Sequence, residues 1–213
     1  MKQTSGRRLW LLILAGASAV AGYFGPWVPH QAAGLVILGL DLGEYVKFLP
    51  PVAAGQIALR REYFYLPLLT GSLIAGLLAS RRSLPGWART LLGLTAIPLA
   101  LAMLPPAWSP RGLLVAEFRI QVIAIAACLL FVAAIPFTRR VPDRLALALT
   151  ALLALAAALL PAWGFLRIRP AIADLYRASL PLGWGFWGCV IGFLLLALFA
   201  VAEMLPGRNS PRR

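Results

Sequence analysis

The sequence predicts an all-α, polytopic membrane protein: six transmembrane helices arranged in hairpins, with one interfacial or re-entrant amphipathic helix on the outer side. Three observations predict it. Hydrophobic residues make up 61% of the 213, against roughly 45–50% in an average soluble domain. Five stretches, 9–28, 66–80, 120–138, 145–164 and 180–202, run without a charge, and a spanning helix needs about 20 apolar residues. The polar–apolar alternation that marks a membrane barrel is missing. The whole of 1–213 reads as a single transmembrane domain.

The first helix is expected over 9–25. Lys2, Arg7 and Arg8 precede it, and Ala19-Val20-Ala21-Gly22 lies near its end, a layout shared with cleavable signal peptides. Apolar and aromatic residues continue through Tyr23, Phe24 and Trp27, which favours a retained span. Pro26 and Pro29 close it, and Trp27 suits a membrane–water interface. The segment 34–50 is apolar but carries Asp41, Glu44 and Lys47 at spacing three. On a helix over 34–49 these would share one polar side, the pattern of a helix lying in the interface or packed as a re-entrant segment. Pro50 and Pro51 stop it, and Arg60-Arg61-Glu62 lead into the second span.

Further spans are expected over 63–80, 90–104, 117–137, 145–160 and 183–205. Short basic turns join them, one around Arg81, Arg82 and Arg89, another around Arg139, Arg140 and Arg144. Pro105-Pro106-Ala107-Trp108 and Pro161-Ala162-Trp163 are read as stops. The stretch with Arg167, Arg169, Asp174 and Arg177 is read as a loop hugging the interface. A faint repeat accompanies this: Thr95-Ala96 stands thirteen residues before Trp108, and Thr150-Ala151 thirteen before Trp163. A duplicated hairpin would explain it; so would two Ala/Leu helices of equal thickness with similar ends.

Arginine and lysine placement sets the orientation. Six spans put twelve of the twenty basic residues on the side of the termini, and five of the seven acids on the other. The positive-inside rule then places both termini in the cytoplasm of a cell-membrane protein. Spanning by 34–50 would bury three ionised groups, at about 2.5–3.5 kcal/mol each. The net charge of +13 sits at the ends of apolar runs, where it meets anionic headgroups. No basic stripe with interleaved aromatics falls on a soluble segment, so nucleic acid is not an expected partner.

Residues able to carry chemistry are few. His30 is the only histidine, so one chain has no axial pair for a haem. No zinc-ligand spacing, nucleotide-binding glycine loop or serine elbow occurs, and no metal or cofactor is expected. Cys128 and Cys189 lie in apolar runs and read as packing residues. The candidate polar cluster is His30, Asp41, Glu44, Lys47, Arg60, Arg61 and Glu62. Glu117, Arg119 and Gln121, at the outer mouth of the fourth span, are secondary candidates. The structural alternative, which interfacial helices favour, pairs Glu44 with Lys47 on the helix surface and neutralises their charge. Small residues at spacing four, Gly39 with Gly43, Ser72 with Gly76 and Gly188 with Gly192, suit close helix contact. Trp184, Phe186 and Trp187 suit an aromatic anchor.

Three functions fit this inventory. The first is a non-catalytic membrane subunit of a transport or other multi-subunit complex, in contact with the bilayer, other membrane subunits or an ATPase. It follows from the apolar surface and the shortage of ionisable groups near the bilayer centre. The second is a membrane-embedded enzyme acting on lipid-linked substrates at the outer face, using Asp41, Glu44, His30 and Arg60 or Arg61. The third is a lipid- or quinone-contacting structural subunit, with ordered lipid around Trp184 and Trp187.

Overall fold

A computed structural model describes residues 2–81, 84–105, 109, 111, 113, 115–135 and 141–205. The chain is all-helical, with 76% helix and 3% strand. Six apolar helices form the bundle: α1 (Lys2–Phe24), α4 (Leu66–Ser80), α5 (Gly86–Leu101), α6 (Arg119–Ala133), α7 (Asp143–Tyr176) and α8 (Trp184–Met204). Four helical stretches are long and apolar enough to cross a membrane: α4 with its lead-in turn from Arg61, α6 with its own from Ala116, α7 and α8. They fit a multi-pass membrane protein. The apolar part of α1, Trp10–Phe24, and the whole of α5 are shorter.

α8 lies between α1 and α7, α4 lies between α7 and α5, and α6 rests on α4 and α5. Of the spanning stretch that ends in α4, 72% is buried, against 17% for that of α6, so α4 is the axis and α6 the periphery. Ser72, predicted for close contact, donates a hydrogen bond to the Ala96 carbonyl of α5 at 2.8 Å. Gly76 faces the Phe131 ring of α6. Gly188 and Gly192 press on α1 at Gly22 and Ala19. These contacts use the small-residue spacing as dispersion packing requires, since lipid supplies no hydrophobic drive between helices.

Two expectations are corrected. The fifth span was expected to stop at Pro161, but α7 runs through both Pro161 and Pro170 to Tyr176. Proline removes one helical hydrogen bond, and lipid-embedded helices tolerate that where neighbours pack around the gap. The buried stripe continues across the prolines through Phe165, Ile168 and Ile172, each fully buried. The stretch expected as a loop, with Arg167, Arg169 and Asp174, is therefore helix, and Arg177 ends it with a left-handed φ of 50°. Pro-Ala-Trp at 161–163 lies inside α7, so it does not terminate a helix as the repeat implied. Trp108, Arg82, Arg139, Arg140 and the tail beyond Leu205 lie outside the described residues.

The second correction concerns 34–49, where no single amphipathic helix forms. A two-stranded antiparallel hairpin pairs β1 (Pro26–Val28) with β2 (Ile37–Leu38). A 3-10 turn at Ala33–Leu35 lies between them, and α2 (Leu42–Tyr45), a 3-10 turn (Val46–Phe48) and α3 (Pro50–Ala53) follow. The cause lies at Trp27. Instead of sitting at an interface it is fully buried, meeting Phe165 and Phe186 edge to face at 5.3 Å each. A Cβ at Gly39 would lie 2.6 Å from its indole nitrogen. The backbone at Gly39 is thus drawn against α1 and into the hairpin, and a continuous helix cannot form. Gly39 and Gly43 serve ring packing, not a helix pair.

These short elements, the 3-10 turns before α4 and α6, and the far end of α7 gather at one end of the bundle, here called the cap. Tyr23 in α1 donates to the Phe64 carbonyl at 2.9 Å, Arg169 donates to the Leu180 carbonyl, and the Gly183 amide donates to the Trp27 carbonyl at 3.0 Å. Trp184 and Trp187 are exposed, as an anchor requires, while Phe186 joins the core. Cys128 and Cys189 are both fully buried and free. Neither thiol is expected to react with a maleimide until the protein is denatured, a mass shift that intact-protein mass spectrometry reads directly.

Candidate functional site

The cap carries the densest charge cluster among the described residues. α2 presents Glu44, and the turn after it presents Lys47. The 3-10 turn at Arg61–Tyr65 presents Arg61, Glu62 and Tyr65. The turn at Ala116–Phe118 presents Glu117 and Phe118. Lys47 Nζ lies 2.5 Å from Glu44 Oε2 and 2.6 Å from Glu117 Oε1. Arg61 Nη1 lies 3.3 Å from Glu44 Oε1 and 3.2 Å from Glu117 Oε1, and its other terminal nitrogen donates to the Glu117 backbone carbonyl. Tyr65 donates its phenol hydrogen to Glu44 Oε1 at 2.7 Å. The Phe118 ring lies under both cations, 5.3 Å from the Arg61 guanidinium and 5.9 Å from Lys47 Nζ, a favourable quadrupole contact.

Two cations therefore bridge the same two carboxylates across three chain segments. Partial burial works to raise the Glu44 carboxyl, but Lys47, Tyr65 and Arg61 outweigh it and hold it below its ordinary value. Burial works to lower Lys47, and its bonds to Glu117 and Glu44 outweigh that and raise it. Both groups are fixed in their charged forms. A general base works best with a pKa near the working pH, and the Glu44 carboxyl is held the other way, below its ordinary value. Among the described residues no three His, Cys, Asp or Glu converge as metal ligands would.

The predicted residues divide cleanly. Glu44, Lys47, Arg61 and Glu62 come together, Glu62 at 3.9 Å from Arg61 Nε, and Glu117 joins them from the secondary set. Asp41 instead accepts the Leu38 amide at 3.1 Å, shaping the entry to α2. His30 is exposed, accepts the Ala32 amide at 3.0 Å and lies edge-on to Tyr176. Arg60 and Arg119 are exposed. Gln121 is buried, donates to the Met103 carbonyl at the end of α5, and leaves its own oxygen without a partner. Tyr65 and Phe118 escaped sequence reasoning. Gly43 was the available signal for Tyr65: a Cβ there would lie 2.7 Å from the Tyr65 ring, so only glycine admits the phenol to Glu44.

A smaller charge group closes the opposite end of the bundle. Arg81, at the end of α4, is buried, with Asp143 of α7 and Glu203 of α8 each at 4.0 Å. Its Nε has no hydrogen-bond partner. No family model, no curated protein and no solved structure matches the chain.

Proposed function

We propose that the chain is a non-catalytic membrane subunit of a transport or other multi-subunit complex, working beside other membrane subunits or an ATPase. In this reading α1 and α5 also cross the bilayer, giving six spans, with both termini cytoplasmic and the cap on the outer face. The observation that carries it is the cap cluster, in which Glu44 and Glu117 are each held by both Lys47 and Arg61. Such a group fastens three segments together and commits Glu44 and Glu117 to Lys47 and Arg61. It supports a rigid subunit over the alternative of an enzyme acting on lipid-linked substrates.

Gentle extraction from the native membrane, followed by native mass spectrometry, tests this. The expected result is a stoichiometric membrane or ATPase partner that survives detergent exchange. A chain that comes away alone under conditions that keep other membrane complexes intact would overturn it. So would loss of a lipid-modifying activity on Glu44→Gln.

A further inference from the structure

We propose that the groove between α1 and α5 is a binding site for one membrane phospholipid, its acyl chain lying along the bundle and its headgroup at the end opposite the cap. The groove has a volume of about 290 Å³. Leu12 and Gly16 of α1 form one wall, Leu91 and Thr95 of α5 the other, and Ile74 of α4 and Phe193 of α8 the floor. Apart from the Trp87 indole at the mouth, Thr95 is the polar side chain there, and its hydroxyl already donates to the Leu91 carbonyl at 2.8 Å. The lining therefore asks nothing of a polar ligand.

Size and charge choose the occupant. A cavity of about 150 Å³ accommodates benzene, so this one takes roughly twelve carbons of hydrocarbon, far less than a helix would fill. Its length runs along two apolar helices, the direction in which acyl chains lie in a bilayer. The end of the groove at Trp87, itself 57% exposed, is where α1 and α5 both begin. Arg7 and Arg8 come five and four residues before Leu12 in the sequence, so the chain entering the groove from that end is basic. An anionic headgroup complements it. The inference is independent of whether the chain has protein partners.

Gly16 supplies the test, because a Cβ there meets nothing within 4 Å and a larger side chain enters the groove without disturbing the helices. Wild type, Gly16→Leu and the double variant Arg7→Gln with Arg8→Gln would be reconstituted in vesicles of equal phosphatidylglycerol and phosphatidylcholine. They would then be extracted and weighed by native mass spectrometry. Wild type is expected to keep one phospholipid per chain, with phosphatidylglycerol favoured several-fold. Gly16→Leu is expected to lose it while melting with wild type once both are stripped of lipid, and the double variant to keep a lipid while losing the preference. Wild type without lipid, or Gly16→Leu retaining lipid at the wild-type level, overturns the site. Wild type binding both headgroups equally overturns the headgroup assignment. A second copy or a partner helix found in the groove overturns the proposal as a whole.

Discussion

Gly22→Ala, the addition of one methyl group, is expected to destroy the native packing of α1. The new Cβ would lie 2.0 Å from the Cys189 backbone nitrogen and 2.4 Å from the Gly188 carbonyl carbon. Backbone atoms cannot rotate aside as a side chain can, so the helices must part along the seam. Gly192 fits equally tightly, 2.3 Å from the Ala19 nitrogen, and Ser18 donates across the same seam to the Gly188 carbonyl at 3.1 Å. Core overpacking usually costs about 1–3 kcal/mol, and a clash with backbone belongs at or above the upper end. Thermal unfolding in detergent would show a lowered midpoint or no folded fraction. Gly16→Ala, on the same helix but facing open space, is the control and should unfold with wild type. Equal midpoints for the two variants would refute the seam.

Arg61→Met is expected to cost about 2–3 kcal/mol and to loosen the cap. Arg61 is 10% exposed and holds both carboxylates, but Glu117 is 47% exposed, so water recovers part of what a fully buried pair would lose. Acid should act on the same fastening. The Glu44 carboxyl is lower in the folded protein than its ordinary 4.5, so its contribution is present above that value and is lost as pH falls through the folded pKa. Lys47 is raised from 10.5, so its contribution is present below that value and is lost as pH rises through the folded pKa. Stability should therefore decline below about pH 4.5 through Glu44, and Glu44→Gln should flatten that decline. Melting curves of both proteins at pH 3.5 and pH 7 decide it; parallel declines would remove Glu44 from the account.

Much of the helical frame was legible because charge-free apolar runs leave few alternatives in lipid. The Gly188 and Gly192 spacing was legible as a close-contact signal; its partner surface, Ala15, Ala19 and Gly22 of α1, emerged only in the fold. Pro161 and Pro170 misled because proline marks a helix end in water, while the apolar stripe through Ala154, Ala158, Phe165 and Ile172 kept its helical period across both. The cap misled for a different reason. The charges at Asp41, Glu44 and Lys47 have helical spacing, but Gly39 is committed to Trp27, a contact over twelve residues that no local pattern reports. Scarcity made Glu44, Lys47, Arg61 and Glu117 visible as candidates. Tyr65 and Phe118 were hidden because a tyrosine or phenylalanine in an apolar chain has many possible uses, and only the folded path brings them beside Glu44 and Arg61.

The 34 residues of α7 give a rod of about 51 Å, whereas the hydrocarbon layer is about 30 Å thick. Its far end is bolted into the cap by Arg169 on Leu180 and Tyr176 on Leu35. Packed against α4 and α8 on its way, a rod that long outruns the hydrocarbon by about 21 Å, so one continuous helix serves both as a wall of the bundle and as the post on which the cap is built.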